Sequence, residues 1–65
     1  MDDVVEFLGV DTDAWEAARR AIRNARAAGR RMVPGSAIGF DIFENVTLDG
    51  VDAERVFLAT VITIA

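Results

Sequence analysis

Seven arginines and eleven carboxylates carry all the side-chain charge of this chain, with no histidine and no cysteine beside them. Without those two residue types, neither a hydrolase triad nor a Cys–His pair can be assembled. Ser36 is the single serine and has no partner base. Carboxylate groupings exist at Asp41/Glu44 and at Asp49/Asp52/Glu54. Two of these acids could in principle divide the roles of acid and base. Such work needs a cleft that separates their proton affinities, and the plainer expectation is solvated turn and cap residues. The run from Asp49 to Glu54, DGVDAE, faintly suggests calcium, but its glycine is misplaced for an EF-hand loop. With no Cys/His ligand set either, the sequence leads us to expect no catalytic residue, no cofactor, no metal and no enzymatic activity.

The arginines form the one patterned group. Arg19, Arg23, Arg26 and Arg30 recur at steps of four, three and four, with Arg20 and Arg31 nearby, which lays them along one side of a helix. A stripe of this kind could track phosphates. The plainer expectation is a solvated face, partly neutralised by Glu16 and by the acids of the C-terminal half. Net charge is −4, which weakens steering toward nucleic acid. No helix-turn-helix pattern, aromatic platform or Gly-rich phosphate loop accompanies the stripe. The charge is also unevenly placed. Residues 17–35 hold six arginines and no acid, whereas from Ser36 onward five acids face a single Arg55. A third role follows from that imbalance: the stripe pairs with acidic surfaces of neighbouring subunits.

The elements that must position these residues start with a helix over Asp13–Arg31. Asp13 is suited to cap it, and Glu16 to return the bond. Trp15, Ala18, Ile22, Ala25, Gly29 and Met32 fall on one stripe, widened by Ala14, Ala21 and Ala28. This places Trp15 in the core, although an interface anchor is the other role open to it. Gly29, Arg30-Arg31 and Pro34 mark the end. Before it, Asp2–Leu8 suggests a short helix capped by Asp2 or Asp3 and ended by Gly9. After it, Pro34-Gly35 signals a turn, and Ile38, Phe40 and Ile42 alternate with Gly39, Asp41 and Phe43 as in a strand. Val46 and Leu48 extend that strand past an irregularity at Glu44-Asn45, and Asp49-Gly50 marks the next turn. Residues 55–65 are rich in Val, Ile and Thr and predict a strand closing a hairpin. The competing expectation is a helix from about Asp52. The fold expected is therefore α+β, a single small domain over 1–65: short N-terminal helix, long Ala/Arg helix, C-terminal β-hairpin. The alternative is a mostly α chain.

A chain this short buries only about 60% of its unfolded surface, yet 52% of its residues are hydrophobic and no disulfide can compensate. A single helix covers one face of a sheet, and a two-stranded hairpin is marginal alone. The uncovered face and edges invite another copy. The residues expected at such an interface are Phe40, Ile42, Phe57, Val61, Ile62 and Ile64. The longest apolar run, Val56–Ala65, is too short for a membrane helix, and no basic segment leads into a long apolar one. A cytoplasmic or virion-associated location is expected, neither secreted nor transmembrane.

The opening half, from Asp2 to Arg31, resembles the start of bacteriophage head–tail connector proteins. These begin with a short helix ending in a Leu-x-x-Asp-like step, then an acidic cap, then an Ala/Arg-rich helix ending near glycine. Phe7-Leu8-Gly9-Val10-Asp11 and the approach to Gly29 follow that outline. The resemblance implies a ring-forming or virion-associated structural protein without enzymatic activity. Composition and resemblance together suggest an assembly subunit whose partner is itself or another structural protein. A small regulatory module using the arginine stripe on nucleic acid is the alternative.

Overall fold

A computed structural model describes residues 3–64 of the chain. Its elements are β1 (Val4–Asp11), α1 (Ala14–Ala27), β2 (Arg31–Met32), β3 (Gly39–Leu48) and β4 (Val51–Ile64). The expected N-terminal helix is absent. Its segment is strand β1, and the one helix among the described residues lies in the middle of the chain. Asp2, one of the caps proposed for that helix, lies outside the described residues. The reversal has a physical cause. A two-turn helix makes few backbone bonds, whereas β1 pairs over its whole length with β4, from Val4↔Ile64 to Asp11↔Phe57. Tertiary pairing overrides the weak local preference.

β4 is the spine of an antiparallel sheet. β1 lies along one edge, and β3, followed by the two-residue β2, lies along the other. The hairpin expected at the C-terminal end is present, and residues 51–64 form a strand, not a helix. Its two-residue loop, Asp49-Gly50, has φ of 51° and 79°. Positive φ at both positions is what a type I′ turn requires. β1 and β3 both run antiparallel to β4, so they are parallel to one another. Parallel strands need a crossover, and α1 supplies it. The order strand–helix–hairpin follows from that need.

α1 begins where expected: the Asp13 carboxylate accepts from the Glu16 amide at 3.0 Å. Glu16 does not return the bond, and pairs instead with Arg19 at 3.6 Å. The helix stops at Ala27, short of Arg31. The Gly29 amide bonds the Arg26 carbonyl and the Arg30 amide bonds the Ala25 carbonyl, with Gly29 at φ 73°. This is the Schellman stop that a glycine at that position permits.

The core is thin and built from small residues. Ala17, Ala18, Ala21 and Ala25 pack on Ala59 and Val61, with Phe7, Ile22, Met32, Ile38 and Phe57 partly buried around them. Gly9 lets the helix settle on β1. A Cβ there would lie 2.2 Å from the Ala17 carbonyl oxygen and 2.4 Å from the Ala21 nitrogen. The buried stripe is rotated from the expected one, so Trp15 is 71% exposed and not core. Arg30 closes the end of the layer. Its Nε donates to Thr63 Oγ1 at 2.9 Å, and that hydroxyl donates to the Val5 carbonyl at 2.8 Å.

Candidate functional surfaces

Directly paired residues of an antiparallel sheet share a face. Phe7 and Gly9 of β1, Phe57, Ala59, Val61 and Thr63 of β4, and Phe40 and Ile42 of β3 therefore lie on the helix side. Val4, Leu8 and Val10, with Leu58, Ile62, Ile64 and Phe43, lie on the far side. α1 rests on β1 and β4 and leaves β3 bare. Phe40 is 47% exposed and Ile42 58%. On the far side Val4, Leu8 and Phe43 are exposed, while Ile62 and Ile64 are half-buried.

The six apolar residues expected at an interface thus separate into three groups. Phe40 and Ile42 form an exposed ledge beside the helix. Ile62 and Ile64 lie half-covered on the opposite face. Val61 is fully buried beneath α1 and Phe57 is half-buried there, so these two face the chain's own helix and not a neighbour.

The orientation of α1 sets where Trp15 stands. Asn24 Nδ2 donates to the Leu8 carbonyl at 2.8 Å, and Arg20 Nε donates to Asp11 at 2.9 Å. These two side chains reach toward the free side of β1. At 3.6 residues per turn, Trp15, Arg19, Ile22 and Arg26 then occupy the opposite flank, toward β3. Ile22 confirms the direction by packing near Met32 and Arg26. Trp15 thereby stands on the flank of α1 that faces the side of Phe40 and Ile42.

Arg19, Arg23 and Arg26 are exposed and line a shallow depression with Ile22. Arg23 and Arg26 make no ion pair among the described residues. Arg30 leaves the stripe: its side chain is only 15% exposed and is held by Asp3 and Thr63. The Asp13 amide, then the Arg20 side chain, holds Asp11 below the usual aspartate range.

The acids of the C-terminal half sit on the hairpin. Asn45 has φ 53°, so β3 is irregular where expected, but the pairing offset is the same on both sides and no residue is inserted. The hairpin bends near this point. Glu44, Asn45, Glu54, Arg55 and Phe57 share one concavity with Thr12, and Asp49 and Val51 at the tip share another with Leu8, Val10, Arg20 and Asn24. Arg55 stands opposite Glu44 in the strand register, and no ion pair joins the two. No group of three potential metal-ligating side chains occurs among the described residues. No helix among them is long and apolar enough to cross a membrane. Comparison with protein-family models, with curated proteins and with solved structures finds no match for this chain.

Proposed function

We propose that this chain is a non-catalytic assembly subunit that works as a homo-oligomer. One observation carries the proposal. The largest fully buried side chains are Val56, Val61 and Thr63; every described Phe, Ile and Leu, together with Trp15, keeps part of its surface in solvent. Apolar burial is the dominant favourable contribution to folding. A domain whose aromatic and long aliphatic side chains all remain partly wet gains most by association. The connector-like outline plays no part in this proposal, because its first element, a helix ending near Leu8, is strand β1. Multi-angle light scattering at micromolar concentration is the test. The expected result is a mass at least twice that of one chain, and a stable monomer would overturn the proposal.

A second proposal attaches to the exposed Arg23 and Arg26, which make no ion pair among the described residues, with Arg19: a basic flank that holds nucleic acid. Binding to nonspecific DNA or RNA that weakens steeply with salt would support it. No binding at low salt would remove it.

A further inference from the structure

We propose that the outer edge of β3 is the seam of the assembly, and that a second copy of this chain pairs there through its own β3, antiparallel and about a two-fold axis. The inference rests on the oligomer proposed above and names its contact. The sheet has two edges among the described residues, and they differ. Along β1 the helix intervenes: Asn24 occupies the Leu8 carbonyl at 2.8 Å. Along β3, among the described residues, only β4 is a partner, and the outer row of amides and carbonyls from Gly39 to Asn45 meets no other backbone or side chain. Exposed edges are ordinarily guarded by charged side chains, lysine above all, or by proline or a bulge. From Gly39 to Asn45, β3 has no lysine, proline or inserted residue, and its only charges are the acids Asp41 and Glu44.

Those two acids select the partner and the register. An antiparallel edge is self-complementary, so an identical strand supplies the matching row of donors and acceptors. The regular part of β3 runs from Gly39 to Asn45, where φ turns positive, and its midpoint is Ile42. Pairing about that midpoint sets Ile42 against Ile42, Phe40 against Glu44 and Asp41 against Phe43. A shift that centres on Asp41 or on Glu44 would set like charges face to face, which is destabilising. The two-fold stands perpendicular to the sheet and puts both helices on the same side. Trp15, Phe40 and Ile42 of each copy then line one cleft between the helices. Each Glu44 approaches the flank that carries the other copy's Arg19, so the acidic strand meets the basic helix. A single symmetric contact thus covers the ledge, satisfies the free edge and joins the opposite charges.

The chain has no cysteine, so a single introduced one reports its own neighbour. Ile42→Cys is expected to cross-link into covalent dimers under mild oxidation, whereas Ala27→Cys, on the exposed end of the helix, is not. Ile42→Lys is expected to sediment at half the wild-type mass or less with its far-UV circular dichroism unchanged, because Ile42 is exposed in the single chain. A wild-type oligomer that Ile42→Lys leaves intact, with no cross-link at position 42, would overturn the seam and leave assembly to another surface. A monomeric wild type would overturn the oligomer itself.

Discussion

Gly9 is the residue on which the two layers depend. Its missing Cβ lets the backbone of α1 rest on β1, and the atoms that an added methyl would meet belong mostly to the main chain. Main-chain atoms cannot swing aside as a side chain does, so the helix would have to lift off the sheet. Overpacking a well-filled core costs about 1–3 kcal/mol. Gly9→Ala is expected at or beyond the top of that range, read from urea or thermal unfolding. The sequence suggested a different role for this glycine, as a helix stop, because a glycine that ends an element and one that admits a neighbour look alike until the fold is known. Asp11 offers a pH-dependent counterpart. The Asp13 amide and the Arg20 guanidinium favour its charged form, so its folded value lies below the ordinary one. Its contribution is complete above about 3.9, the value in an unfolded chain, and is lost as pH falls through the folded value. Asp11→Asn should therefore be less stable than wild type at neutral pH. The gap between the two denaturation midpoints should close in strongly acidic solution. A gap that persists there would mean that geometry, not charge, is what Asp11 supplies.

At the scale of elements, the helix start, the Pro34-Gly35 turn, the Asp49-Gly50 turn and the hairpin were legible, because each is written in a few adjacent residues. The cap is the clearest case. Asp13→Ala leaves the Glu16 amide unpaired and is expected to cost about 1 kcal/mol, measurable as a lowered unfolding midpoint with no change in the folded spectrum. What local residues could not reveal was the partner of each segment. Val4-Val5-Glu6-Phe7-Leu8 has a plausible helical face and a plausible strand face. The choice was made by β4, more than forty residues away, which offers eight consecutive pairing positions. The same distance hid the facing of β4. Both of its sides are apolar, so the sequence could not show that Phe57 and Val61 turn toward α1 while Ile62 and Ile64 turn away. The arginine spacing was read correctly as helical through Arg26. Arg30 falls off the stripe because the Schellman stop redirects the chain just before it, toward Thr63 and Asp3.

Taken whole, the molecule is long and thin, 40 × 20 × 18 Å with a radius of gyration of 12.2 Å. A compact chain of this length would be nearer about 10.7 Å. The excess reflects a sheet that α1 covers only in part. Trp15 stands at the margin of the covered region, on the flank of α1 that overlooks β3. It is the only tryptophan in the chain, and its 71% exposure gives it the red-shifted emission of a wet indole in a lone copy. If the seam runs along β3, assembly closes a cleft over that indole and moves its emission to the blue. Diluting wild type from the micromolar into the nanomolar range should shift the emission back toward the red as the oligomer separates. Ile42→Lys should be red-shifted at every concentration. Emission that stays constant across a range where sedimentation records dissociation would place the contact away from Trp15, and with it away from β3.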